Sequence, residues 1–165
     1  MGVSLTPTLL TRFTQAFGTY MGQGGIVVGR DTRTSGEMVR QAAVSGLLST
    51  GCRVIDLGVC PTPTVQLTVR RLAAQGGIAI TASHNPPEWN ALKFVGPDGL
   101  FLDAERAREL LDIYHQGDYT KVGGSLMRPV ELMPQAGEEH VRKIVEVVGT
   151  LRRGARKPRV VIDSC

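Results

Sequence analysis

Residues 53–87, RVIDLGVCPTPTVQLTVRRLAAQGGIAITASHNPP, decide the fold. Arg53 to Leu57 is a short apolar run of strand type. The turn from Gly58 to Pro63 then delivers the chain into a helical pattern carrying Val65, Val69 and Leu72, with Gly76 and Gly77 expected to end it. Ile78, Ala79 and Ile80 make a further short strand of buried character. A strand, a helix and a strand joined so tightly bring the second strand back parallel to the first, because the crossover helix must lie across the face of the sheet.

Upstream the same unit repeats. From Pro7, the residues Leu9, Leu10, Phe13, Phe17 and Tyr20 recur at helical spacing, with Thr6 as N-cap, Pro7 at the first helical position and Gly22 as a stop. Ile26 to Val28 is an apolar run ending in Gly29. Thr34-Ser35-Gly36-Glu37 then offers a capping box before a helical pattern through Met38, Val39, Ala42, Ala43 and Leu47, which stops at Gly51. Downstream the pattern changes: Ala91 to Val95 and Leu100 to Leu102 flank Pro97-Asp98-Gly99, a turn that predicts an antiparallel hairpin at the sheet edge. A helix follows from Asp103 to about Gln116, then a polar, glycine-containing stretch to about Gln135, then a last helix carrying Val141, Ile144, Val145 and Val148. The expected fold is α/β: a three-layer α/β/α domain with a mixed, mostly parallel sheet and an edge hairpin.

Composition agrees with one packed domain, since 42% of the 165 residues are hydrophobic and 21% are charged. No stretch approaches the ~20 uninterrupted apolar residues of a membrane span, and no charged leader precedes an apolar run, so a soluble, cytoplasmic protein without a membrane partner is expected. The cysteines Cys52, Cys60 and Cys165 form no C-x-x-C pair. An odd number cannot all pair within the chain, which suits a reducing compartment, and Cys52 and Cys60 read as buried, inert thiols. The net charge of +4 is concentrated in Arg152, Arg153, Arg156, Lys157 and Arg159 of the stretch RRGARKPR. That stretch is short and has no aromatic residue to stack on bases, so a solvated linker is expected rather than a nucleic-acid contact. The domain is expected to occupy residues 1–151. Residues 152–165 read as the linker and, from Arg159 to Asp163, the first strand of a truncated second domain.

Chemistry concentrates in Thr81-Ala82-Ser83-His84-Asn85-Pro86-Pro87, directly after a strand, at the carboxyl edge where α/β sheets place ligands. Ser83 is a potential nucleophile, His84 a neighbouring donor or acid/base, Asn85 a turn-former, and the prolines stiffen the exit. A plain polar turn, with His84 satisfied by a backbone group, explains this segment equally when it is read alone. A serine hydrolase is disfavoured, because no G-x-S-x-G elbow surrounds Ser83 and neither His115 nor His140 sits in a triad context.

GRDTR at Gly29 to Arg33, PTP at Pro61 to Pro63, TASHNP at Thr81 to Pro86 and N-x-x-K-F at Asn90 to Phe94 stand in the order and spacing of one family. Nearly the whole sequence resembles domain I of the α-D-phosphohexomutases, which comprise phosphoglucomutase, phosphomannomutase and phosphoglucosamine mutase. The resemblance implies that Ser83 is a phosphoserine that passes its phosphoryl group between O1 and O6 of a hexose or hexosamine phosphate through a bisphosphate. It implies Mg²⁺ touching a phosphoseryl oxygen of Ser83, and a hexose 1,6-bisphosphate activator. Lys93, ten residues after the serine, would exchange a proton with the sugar hydroxyl, and His84 would orient it or carry a proton.

Arg30 and Asn85 are the residues expected to bind phosphate. Arg30 and Arg33 flank Asp31, and a structural ion pair fixing the first loop is as well supported by the sequence as phosphate contact. Trp89 is expected to pack on Pro86-Pro87. The stretch SHNPPEWNALKF is most similar to the phosphoglucosamine mutases. Two departures stand out: the family's amino-terminal threonine-glycine-arginine segment is missing, and Ala91 stands where many relatives have glycine. In this family the aspartate-rich metal loop, the sugar-recognition loop and the phosphate-binding fourth domain follow the segment matched here. The 165 residues alone are therefore expected to be inactive, with the remaining domains of the same chain as partners. The alternative is a non-catalytic phosphosugar- or anion-binding domain in which Ser83 is never phosphorylated.

Overall fold

A computed structural model describes residues 5–149 and 159–163. The elements in chain order are α1 (Pro7–Tyr20), β1 (Gly25–Arg30), α2 (Gly36–Ser49), β2 (Arg53–Val59), α3 (Thr62–Arg71), β3 (Gly76–Ile80), β4 (Leu92–Val95), α4 (Ala104–Gln116), β5 (Glu131–Leu132) and α5 (Ala136–Val148). The sheet runs β4-β3-β1-β2-β5, parallel except for β4, which pairs antiparallel with β3.

The alternation of side chains along each strand divides the core. Ile26, Val28, Val54, Ile78 and Ile80 meet Leu10, Phe17, Val39, Leu47 and Leu110 from α1, α2 and α4. Val27, Ile55, Leu57 and Ala79 meet Val65 and Val69 of α3 and Ala136 of α5 on the opposite face. Thr6 caps α1, accepting the Leu9 N–H at 3.2 Å, with Pro7 beginning the helix. Asp103 caps α4 in the same way, accepting from the amides of Glu105 and Arg106. No helix of the described residues is long and apolar enough to cross a membrane.

Local signals and tertiary demands part company at several points. Gly76 and Gly77 belong to β3 rather than ending α3, which stops at Arg71. A Cβ on Gly77 would lie 2.7 Å from Cγ2 of Val69, and one on Gly76 would lie 2.9 Å from the Val95 carbonyl oxygen, so the strand needs both glycines to approach its neighbours. The capping box at Thr34 to Glu37 does not form. Ser35 precedes α2 in helical backbone geometry without a side-chain cap, while the Glu37 carboxylate is taken by Arg30, Arg40 and Gln41. The return arm of the edge hairpin is reduced to a bridge between Val95 and Phe101, and β4 finds its ladder in β3 instead. β5 is an addition: Glu131 and Leu132 pair with Ile55 and Asp56 of β2.

Residues 159–163 have no regular structure in this chain, and Val160, Val161 and Ile162 are exposed. The basic residues 152–158, the expected boundary after 151 and Cys165 lie outside the described residues. Cys52 is buried and Cys60 half-buried, both as free thiols. Burial, reinforced by the nearby Asp56 carboxylate, pushes the Cys60 thiol up to about 11, which keeps it protonated and unreactive at neutral pH.

Candidate active site at the sheet crossover

β1 lies between β2 and β3 in the sheet, so the chain leaves β1 toward one neighbour and later returns to pair on its other side. The loops that follow β1 and β3 consequently emerge at adjacent carboxyl ends, and a small crevice lies between their roots and the loop after β2. GRDTR forms one wall and TASHNP the other. Their backbones are tied at the root, where the Asp31 N–H donates to the Ile80 carbonyl at 3.0 Å. A small cavity of about 160 Å³ lies there, lined by Arg30, Asp31, Cys60, Thr62 and Thr81 among others.

Ser83 projects from this edge and is exposed, with φ +57°. The other non-glycine residues of positive φ among the described residues, Gln23 and Ala73, follow helix ends, where the left-handed conformation is ordinary. In Ser83 it costs on the order of 1 kcal/mol and has to be enforced by the surroundings. Part of the enforcement is local. The Ser83 N–H donates to Oγ1 of the buried Thr81 at 3.1 Å, and the Asn85 N–H donates to the Ala82 carbonyl at 3.1 Å. His84 Nδ1 stands 3.3 Å from Ser83 Oγ, so its ring faces the hydroxyl and not the backbone.

Arg33 supplies the rest. Its Nε–H donates to the Asp31 carboxylate at 3.0 Å, and its remaining N–H groups reach across the crevice to the carbonyls of Ser83 (2.8 Å), Asn85 (2.8 Å), Pro86 and Trp89 (3.0 Å). The structural ion pair with Asp31 exists, but the same side chain also binds the second loop. Asn90 adds a second tie, donating through Nδ2 to Ser35 Oγ at 3.0 Å while its Oδ1 accepts the Ala91 N–H. Sequence motifs contained both residues, yet nothing in their spacing reveals bonds that span more than fifty positions.

Arg30 is placed differently. Nη1 donates to the Asp31 carbonyl at 3.1 Å, Nη2 pairs with Glu37 at 3.5 Å, and the buried Nε has no partner among the described residues. Glu37 in turn holds Arg40, whose Nε donates at 2.6 Å to the buried Asp56 carboxylate. That bond raises Arg40 still further above its usual range, so the arginine stays a permanent cation. Asn85 contributes its backbone to the loop and leaves an exposed side chain. Trp89 joins the proline turn through its backbone, its N–H donating to the Pro86 carbonyl, and its side chain is 55% exposed. Lys93 sits in β4 opposite Ala79, its Nζ 5.8 Å from the centroid of the Phe101 ring, and no hydrogen bond among the described residues joins it to Ser83.

Comparison with known proteins bears directly on this arrangement. Residues 1–121 match the family profile described as phosphoglucomutase/phosphomannomutase, alpha/beta/alpha domain I. A phosphoglucomutase/phosphomannomutase of Thermococcus kodakarensis is 39% identical over 169 residues, covering 97% of this chain and 36% of that protein. A probable phosphoglucosamine mutase of the same organism is 46% identical over 117 residues, covering 71% of this chain and 26% of the relative. Among solved structures, a phosphoglucomutase/phosphomannomutase family protein from Burkholderia thailandensis has a TM-score of 0.75 at 25% identity, covering 88% of this chain and 33% of that one. A putative phosphomannomutase from Thermus thermophilus has a TM-score of 0.73 at 29% identity, with the same coverage. The chain thus spans about a third of the length of these relatives. With its profile match, its layered sheet and its loops at the crossover, the chain belongs to the phosphoglucomutase/phosphomannomutase family, where it corresponds to the α/β/α domain I.

Proposed function

We propose that the chain is the phosphoserine-bearing domain, residues 1–151, of a longer hexose phosphate mutase that acts on a hexosamine phosphate of the phosphoglucosamine type. The observation that carries this reading is Ser83 itself: an exposed hydroxyl at the carboxyl edge of the sheet, on a left-handed, cross-braced turn. Phospho-Ser83 gives its phosphoryl group to the free hydroxyl of a sugar monophosphate. The bond from phosphorus to Ser83 Oγ breaks, a bond to the sugar oxygen forms, and the hydroxyl proton leaves to a base. When the bisphosphate has turned round, the opposite phosphate returns to Ser83 and the proton is given back to the sugar oxygen. Positioning and charge neutralisation dominate such transfers, which suits a rigid loop flanked by cations.

Lys93 is assigned the proton exchange, His84 the orientation of the Ser83 oxygen, and Arg30 with Asn85 the contact to sugar phosphate. Arg30 lines the small cavity at the root of the two loops, which supports its share of that assignment. A divalent cation prefers oxygen ligands, several of them carboxylates. No three His, Cys, Asp or Glu side chains gather into a ligand set among the described residues, and Asp31 is bound by Arg33. The fit is therefore partial: Ser83 would offer Mg²⁺ one phosphoseryl oxygen, and carboxylates from other parts of the longer protein would complete the shell. Bound there, the cation would neutralise charge on the transferring group. A hexose 1,6-bisphosphate would prime Ser83 when its phosphate is lost. The 165 residues alone, lacking sugar-recognition loops, are expected to fold and not to isomerise.

Intact mass and phosphopeptide mapping of the full-length mutase test the reading. One phosphoryl group is expected on the peptide containing Ser83, lost on incubation with excess sugar monophosphate and regained with 1,6-bisphosphate. A Ser83 peptide that stays unmodified under both conditions would instead make this a phosphosugar-binding domain without transfer chemistry.

A further inference from the structure

A guanidinium has five N–H groups in one rigid plane, and Arg33 commits all of them to the protein. One goes to Asp31 and four go to the carbonyls of Ser83, Asn85, Pro86 and Trp89. The side chain is 10% exposed, and its charge is balanced by Asp31. No donor is left over for a substrate phosphate. The acceptors instead outline the turn whose first residue is held left-handed.

We propose that Arg33 is the positioning residue of the site: it sets the backbone conformation from which Ser83 presents its Oγ at the sheet edge, and it acts through geometry rather than by attracting phosphate. The proposal rests on reading Ser83 as the phosphoryl carrier. Chemistry gives a reason for the arrangement. Ser83 would gain and lose between one and two negative charges in each cycle. A loop held through its phosphate would rearrange each time the group came and went. A loop held through its carbonyls keeps one shape in both states, so the hydroxyl and the phosphoserine occupy the same line of attack.

Arg33→Lys and Arg33→Met separate geometry from charge, because lysine keeps the charge but has three donors on a point-like head and cannot span four carbonyls and a carboxylate. In the full-length mutase, with melting temperature and Ser83 phosphorylation checked, both variants should lose kcat by about 10²-fold, the scale of a small misplacement of reacting groups, with KM within a few-fold of wild type. In the 165-residue chain, whose sole tryptophan is Trp89, acrylamide should quench the fluorescence more readily in both variants. If either variant fails to fold, Asp31→Asn, which removes the charge and leaves one acceptor oxygen where Asp31 uses two, one for the Arg33 Nε–H and one for its backbone N–H, should show the same pattern in weaker form. A lysine variant with kcat within a few-fold of wild type would overturn the proposal, as would quenching unchanged by Arg33→Met. Looser Trp89 in both variants, together with turnover surviving Ser83→Ala, would refute the role of Ser83 and leave the clamp on the loop standing.

Discussion

Replacing Ser83 by alanine in the full-length mutase should abolish turnover and leave the fold standing. Stability should barely change, because the Ser83 side chain is exposed and, among the described residues, its hydroxyl is hydrogen-bonded to His84 alone, at 3.3 Å. Exposed positions of this kind usually shift stability by about 0.5 kcal/mol or less. The bonds that hold the turn run to the backbone of residue 83 and persist in alanine. Activity is another matter, since deleting the group that forms the covalent intermediate typically costs on the order of 10⁶-fold. Steady-state assays with a hexose 1,6-bisphosphate present, beside a thermal melt, separate the two effects. Near-normal turnover with a normal melt would remove Ser83 from the mechanism.

Lys93 should show the next largest effect. Its ammonium lies 5.8 Å from the centroid of Phe101, which bridges Val95 at the far end of β4 from the Ser83 loop, so its proposed part in proton exchange rests on the motif and requires the side chain to turn toward the loop. Lys93→Arg discriminates, because arginine keeps the charge and gives up proton exchange near neutrality. Loss of a positioned proton-transfer group costs about 10²–10⁴-fold, so both Lys93→Arg and Lys93→Met should fall by that amount. Activity in the arginine variant within a few-fold of wild type, with the methionine variant dead, would make Lys93 an electrostatic anchor. Both variants must still carry phosphate on Ser83 for the comparison to hold.

The layered fold was legible because its signals are local. Thr6 and Pro7 start α1 where their chemistry predicts, and the short apolar runs at Ile26, Arg53 and Ile78 all become neighbouring strands. What the sequence hid depends on distant partners. Gly76 and Gly77 look like a helix stop, yet they are small because Val69, Phe17 and the Val95 carbonyl crowd them. Glu37 has the position of a capping residue and is diverted by two arginines, Arg30 and Arg40. β5 is two residues long with both side chains exposed; among the described residues its ladder runs to β2, while the neighbouring Val130 and Met133 pack on the two cores. In the candidate site, motif order located Ser83, His84 and Arg30, whereas the work of Arg33 could not be read. A guanidinium beside an aspartate suggests a salt bridge, and four carbonyls from a loop fifty residues away leave no mark on composition or spacing.

The left-handed backbone at Ser83 sets stability and chemistry against each other at a single codon. Glycine adopts that conformation freely and would relax the turn, but it has no oxygen to phosphorylate. Asparagine and aspartate also tolerate it and offer the wrong functional group, while threonine keeps the hydroxyl and adds a β-branch that resists positive φ. With Ser83 as the phosphoryl carrier proposed above, drift toward a sturdier protein leads away from function at this position, and random stabilising screens are expected to recover well-folded, silent variants there.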